Sequence, residues 1–86
     1  MHSIVIKRSA LKALSKLPEK ESTKISDAID KLADDARPDG CKKLEGRGDS
    51  YRIRVGNYRV IYEINDDELL VLVVEIGNRK EIYKKK

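Results

Sequence analysis

Neither tryptophan nor phenylalanine occurs in this chain of 86 residues, and there is one cysteine, one histidine and two prolines. Each shortage removes a class of protein. The lone Cys41 excludes an internal disulfide and is the usage expected in a reducing, cytoplasmic compartment. His2, the single histidine, leaves no His/Cys set for a zinc site and no basis for Ser-His-Asp or Cys-His catalysis. The longest apolar run, Leu69 to Val74, is far shorter than the roughly 20 residues that span a bilayer, so no membrane partner is expected. Met1 to Arg8 has no apolar stretch leading into small residues, so no signal peptide is expected. No metal and no cofactor is implied.

What remains is charge and aliphatic side chains. Nineteen Lys and Arg face 15 Asp and Glu, a formal charge of +4 at pH 7. Ile, Leu and Val recur in periodic runs, which argues against disorder. The length suits a single domain over residues 1–86, one that buries roughly 60–65% of its unfolded surface. Lys84 to Lys86 form a basic tail expected to be mobile.

Ser3 to Lys7 alternates as a short strand. Ser9 is a candidate N-cap for a helix whose apolar stripe is Ala10, Ala13, Leu14 and Leu17. Pro18 ends that helix and suits the first position of the next, with Glu19 and Glu21 at the positive end of its dipole. Ile25, Ile29, Leu32 and Ala36 form the second stripe, closed by Arg37-Pro38-Asp39-Gly40. Beyond this helical hairpin the period changes to two. Tyr51, Ile53 and Val55 alternate with Arg52 and Arg54, and Tyr58, Val60, Tyr62 and Ile64 follow after Gly56-Asn57, a two-residue hairpin signal. Asn65 to Glu68 is a polar turn, and Leu69 to Ile76 reads as a strand buried on both faces. The expected fold class is α+β: an N-terminal strand, a helical hairpin and a three-stranded antiparallel meander, with the helices on one face of a four-stranded sheet.

The hairpin register carries the functional argument. With Gly56-Asn57 as the loop, Arg54 faces Arg59, Ile53 faces Val60 and Tyr51 faces Tyr62. The Tyr/Ile/Val set then meets the helices, and Arg52, Arg54 and Arg59 share the opposite, open face. Like charges directly across a strand pair are destabilising, and three guanidiniums on one face suit a polyanion, each forking two donors onto a phosphate. The alternative is a solvated face whose arginines pair with Asp49 or Asp66. Tyr83, after Gly77-Asn78-Arg79-Lys80, either packs its ring on the core or stacks on a base. No duplex-reading motif is present, so RNA fits better than DNA.

Three segments together resemble the RelE/ParE superfamily of toxins, on its RelE-like branch: Lys43-Leu44-Glu45-Gly46, Tyr51-Arg52-Ile53-Arg54-Val55-Gly56-Asn57-Tyr58-Arg59-Val60-Ile61-Tyr62, and Ile76-Gly77-Asn78-Arg79-Lys80-Glu81-Ile82-Tyr83. The resemblance implies the toxin of a prokaryotic type II toxin–antitoxin system. It further implies an mRNA endonuclease that works in the ribosomal A site, without metal, by attack of a ribose 2′-OH on the adjacent phosphate. By the same resemblance Arg59, Arg79 and Tyr83 are the catalytic residues, and Arg52, Arg54, Lys43 and Lys80 hold RNA phosphates. The implied partners are a RelB-like antitoxin, mRNA and the ribosome, with operator DNA reached only through the antitoxin.

Two departures from the family pattern matter. Both strand positions that carry Lys in some relatives are Arg here, and arginine is a poor proton acceptor. Gly-His-Arg is replaced by Gly77-Asn78-Arg79, which removes a histidine. The proton then falls to Tyr83, to a carboxylate such as Glu45 or Glu81, or to a ribosomal group, with Tyr83 favoured. Two other functions share the fold: a ParE-like inhibitor of DNA gyrase, and a catalytically weak member acting mainly through its antitoxin.

Overall fold

The computed structural model describes residues 1–44, 46 and 48–78. Strand β1 (Ser3–Ile6) leads directly into helix α1 (Arg8–Ser15), then helix α2 (Glu19–Lys31). Strands β2 (Lys42–Lys43), β3 (Ser50–Val55), β4 (Tyr58–Asn65) and β5 (Leu70–Asn78) follow. They form one mixed sheet of five strands in the order β1-β5-β4-β3-β2. β1 runs parallel to β5, and every other neighbouring pair is antiparallel.

The expected sheet of four strands is therefore one strand short. Two lysines in a row carry no alternation, so β2 left no signal in the sequence. It exists because β3 offers an edge, which β2 covers by pairing Lys42 with Arg52 and Lys43 with Tyr51. The meander itself is as expected. Val55 opposes Tyr58 across Gly56-Asn57, and Gly56 takes φ +60°, the left-handed conformation such a tight turn requires.

Helix boundaries moved for local reasons. Ser9 lies inside α1, and the N-cap position is Lys7, with no side-chain cap. Lys7 is placed by the sheet instead: its N–H donates to the Val73 carbonyl at 2.8 Å, while its own carbonyl accepts from the Leu11 N–H at 2.9 Å. Strand pairing thus starts the helix, and a polar cap is dispensable. Pro18 sits one position before α2, at its N-cap. α2 ends at Lys31, where the N–H groups of Leu32, Ala33 and Asp34 reach back three residues in a tightened turn. Leu32 and Ala36 still bury their side chains.

The core joins Ala10, Leu14, Ile25, Ile29 and Leu32 to Tyr51, Ile53, Val60, Tyr62, Ile64, Val71, Val73 and Ile76 from one sheet face. β5 is not buried on both faces throughout. Val71, Val73 and Ile76 are buried, whereas Leu70, Leu72 and Val74 are only half-buried, because the helices cover one side alone. An irregularity beside Ile61 and Tyr62 shifts the β4–β5 register, so Ile61 pairs with Glu75 and Tyr62 with Val73.

Candidate functional site

The observed register places Arg54 directly opposite Arg59, Tyr51 opposite Tyr62 and Ile53 opposite Val60, as the hairpin signal requires. Residues directly opposite share a sheet face. The face away from the helices therefore carries two cross-strand rows. One runs Lys42, Arg52, Ile61, Glu75; the next runs Arg54, Arg59, Gly77. This collects three arginines and a lysine within two rows.

One expectation about this face needs correction. Arg52 and Arg59 were expected on an open surface, but they are 7% and 3% exposed, and Ile61 between them is 3% exposed. The cause is their position in interior strands. Arg52 is flanked by Lys42 on β2 and Ile61 on β4, and Arg59 by Arg54 on β3 and Gly77 on β5, so neighbours cover their aliphatic stems. Both are held by interactions in the fold. Only Arg54, beside the hairpin turn, is exposed. Lys43 is placed apart from the arginines. In a two-residue strand the side chains alternate, so Lys43, opposite Tyr51, lies on the other face. Lys42 is the lysine that joins the arginines. No periodicity could reveal that choice, because it depends on how β2 pairs.

Asp66, one of the two acids proposed as partners for these arginines, is engaged elsewhere. Asp66 accepts from Arg37 Nη2 at 3.0 Å and lies 3.2 Å from His2 Nε2. Those contacts, the Arg37 hydrogen bond first, hold the Asp66 carboxyl below its usual range. The same bond raises the Arg37 guanidinium further above its already high value. Asp49, Glu63, Asp66 and Asp67 gather around a cavity of about 580 Å³ at the opposite end of the sheet from the Gly56-Asn57 turn.

Tyr51 and Tyr62 are structural, as expected. Their rings stack with centroids 6.0 Å apart, and Arg37 lies 5.1 Å over the Tyr51 ring while its Nε donates to the Tyr51 hydroxyl at 3.2 Å. The Tyr62 hydroxyl donates to the Ala36 carbonyl at 2.8 Å, and burial first, then nearby Cys41, pushes its ionisation up. The Tyr62 hydroxyl is committed to that bond. Arg79, Lys80 and Tyr83, together with the alternative bases Glu45 and Glu81 and the tail Lys84 to Lys86, lie outside the described residues.

The chain's likenesses to known proteins run over nearly its full length. The family profile described as the ParE toxin of type II toxin–antitoxin system, parDE, matches residues 4–83. A candidate RelE1 toxin of Methanocaldococcus jannaschii is 29% identical over 85 residues, covering 95% of this chain and 94% of the relative. The toxin in the archaeal RelE–RelB complex of Pyrococcus horikoshii OT3 superposes with a TM-score of 0.81 at 31% identity, over 91% of this chain and 94% of that one. The isolated E. coli RelE toxin gives 0.80 at 25% identity, over 99% and 94%. Among the described residues, no helix is long and apolar enough to cross a membrane. With the family profile matched over residues 4–83 and the fold shared over nearly the whole chain, the chain belongs to the RelE/ParE family of toxins of type II toxin–antitoxin systems, and the relatives it resembles are RelE toxins.

Proposed function

We propose that this toxin is a metal-independent endoribonuclease that cuts mRNA on the ribosome and so stops translation. The observation that carries the reading is the direct opposition of Arg54 and Arg59, with Arg52 and Lys42 in the adjoining row. Like charges stacked across a strand pair cost stability, and a phosphodiester strand is the ligand that turns that cost into binding. Gyrase inhibition has no use for such a cluster. The profile match to a ParE family keeps that second reading in view.

In the proposed reaction a ribose 2′-oxygen attacks the neighbouring phosphorus. The new P–O2′ bond forms as the P–O5′ bond breaks, leaving a 2′,3′-cyclic phosphate and a 5′-OH. Arg54, exposed at the hairpin end, meets the incoming strand first, with Lys42 and Arg52 along the next row, and Lys80 binds a further phosphate. Arg59 is interior, so phosphate contact requires the groups covering it to move aside. Once reached, a guanidinium already fixed and partly desolvated stabilises the charge of the phosphorane more strongly than a hydrated one. Arg79 shares that role. Tyr83 takes the 2′-OH proton, and the leaving 5′-oxygen gains one from solvent or the same phenol. Arg52 and Arg54 stay protonated and Asn78 does not titrate, so none of these serves as base.

The partner is a RelB-like antitoxin, the arrangement seen in the solved complexes of P. horikoshii and E. coli RelE. Acidic segments of that antitoxin would neutralise the Arg54 corner. Primer extension on mRNA in a translation extract tests the activity. Codon-phased cuts that vanish in Arg79→Ala and fall in Tyr83→Phe are expected. Intact mRNA together with stabilised gyrase–DNA cleavage complexes would replace the nuclease reading with the gyrase one.

A further inference from the structure

From Met1 to Pro18 there is no acidic residue, while Lys7, Arg8, Lys12 and Lys16 are all basic. Part of this charge borders a groove. Between α1, the start of β4 and the end of β5 lies a depression of about 390 Å³, lined on its polar side by Ser9, Lys12, Lys16, Tyr58 and Asn78 and floored by Ala13, Leu17 and Ile76. That volume falls within the range of small-ligand sites, about 300–1,000 Å³. Lys12 and Lys16 are exposed and one helical turn apart, so their ammonium groups stand on one face of α1. Among the described residues, no acid lines the groove. The register of the sheet ties it to the arginine face: Tyr58 pairs with Asn78, and the next pair along is Arg59 with Gly77. Tyr58 and Arg59 are consecutive and point to opposite faces, so the groove begins where the Arg54–Arg59 row ends, around the end of the sheet.

We propose that this groove is a nucleotide subsite, holding the RNA strand next to the segment that lies on Arg54 and Arg59. Lys12 and Lys16 bind its phosphates, and the base lies on the apolar floor against the Tyr58 ring, with Ser9 and Asn78 at its polar edge. Aromatic stacking beside cations is how single-stranded nucleic acid is held without sequence readout. Gly77 contributes no side chain at the point where the strand turns from one face to the other. The inference rests on the RNA reading above and extends it from a cleavage face to a longer path.

The test is fluorescence anisotropy of the full-length toxin with 2′-O-methyl oligonucleotides, which cannot be cut: a dinucleotide and an octanucleotide, each across a salt series. Lys12→Gln/Lys16→Gln is expected to lower the octamer salt slope by about 1.4, from about 0.7 for each lost phosphate contact, and to leave the dinucleotide unchanged. Lys20→Gln/Lys24→Gln removes the same charge from exposed positions outside the groove, and its slope should match the wild type. Tyr58→Leu should weaken octamer binding about five-fold or more, with a thermal melt to show that the variant is folded. If Arg54→Ala weakens binding while both lysine pairs behave alike, the subsite is wrong and the RNA face stands. If the wild type binds neither oligonucleotide, or Arg54→Ala binds as well as wild type, the RNA reading itself fails and takes the subsite with it. If the Lys12/Lys16 variant loses affinity only for the antitoxin, the groove is a protein-docking surface and the proposal is overturned.

Discussion

Replacing Arg54 by glutamate should make the folded protein more stable and the toxin inactive. Arg54 and Arg59 are a directly opposed like-charged pair, one exposed and the other buried. Glutamate at position 54 turns repulsion into attraction across the same pair of strands. Opposite-charge cross-strand pairs contribute about 0.2–1 kcal/mol, and like pairs oppose folding by a similar amount. Because Arg54 faces water, screening holds the gain to the lower half of that sum, about 0.5–1 kcal/mol. For a domain of this size each kcal/mol moves the melting temperature by about 4–8 °C, so a rise of about 2–8 °C is expected. The rise should shrink in 1 M salt, where the Debye length falls to about 3 Å. Arg54→Met, which keeps the stem and removes the charge, should fall between the two. Thermal melts at low and high salt, run beside the primer-extension assay, give both readouts. A glutamate variant that melts no higher than wild type at low salt would refute the claim that this pair is held against its own repulsion. One that still cuts mRNA would refute its role in binding.

Tyr62→Phe removes a hydroxyl from a fully buried ring and strands the Ala36 carbonyl it serves. The cost should be about 1–3 kcal/mol in urea unfolding, and an unchanged midpoint would mean that carbonyl is satisfied otherwise. Asp66→Asn should lower the urea midpoint at pH 7. The Asp66 carboxyl is held below its ordinary value of 3.8 by Arg37 and His2, so its contribution is fully present above that value and is lost as pH falls through the lower folded value. Wild type and variant should therefore converge in strong acid, and a constant gap across the pH series would contradict the Arg37–Asp66 linkage.

Much of the hairpin and its register was legible because one physical fact controls it: period-two alternation around Gly56-Asn57 allows only one pairing that buries Tyr51, Ile53, Val60 and Tyr62 together. The arginine opposition follows from that pairing with no further information. β2 was illegible because Lys42-Lys43 has no pattern, and with it went the choice of Lys42 over Lys43 for the arginine face. The clamp of Arg37 on Tyr51 and Asp66 was equally hidden. Its members lie up to 29 positions apart, and nothing local marks Arg37 as other than a turn residue.

The amino-acid sequence alone determined the order of every element but β2, the hairpin register and the clustering of Arg52, Arg54 and Arg59, since alternation and turn chemistry act between near neighbours. Tertiary structure alone decided how open that cluster is. Burial of Arg52 and Arg59 depends on strands joined from distant parts of the chain, on which side β2 pairs and on what flanks a central strand. Alternation fixes the face of the sheet to which a side chain points; only the assembled sheet fixes how much water reaches it.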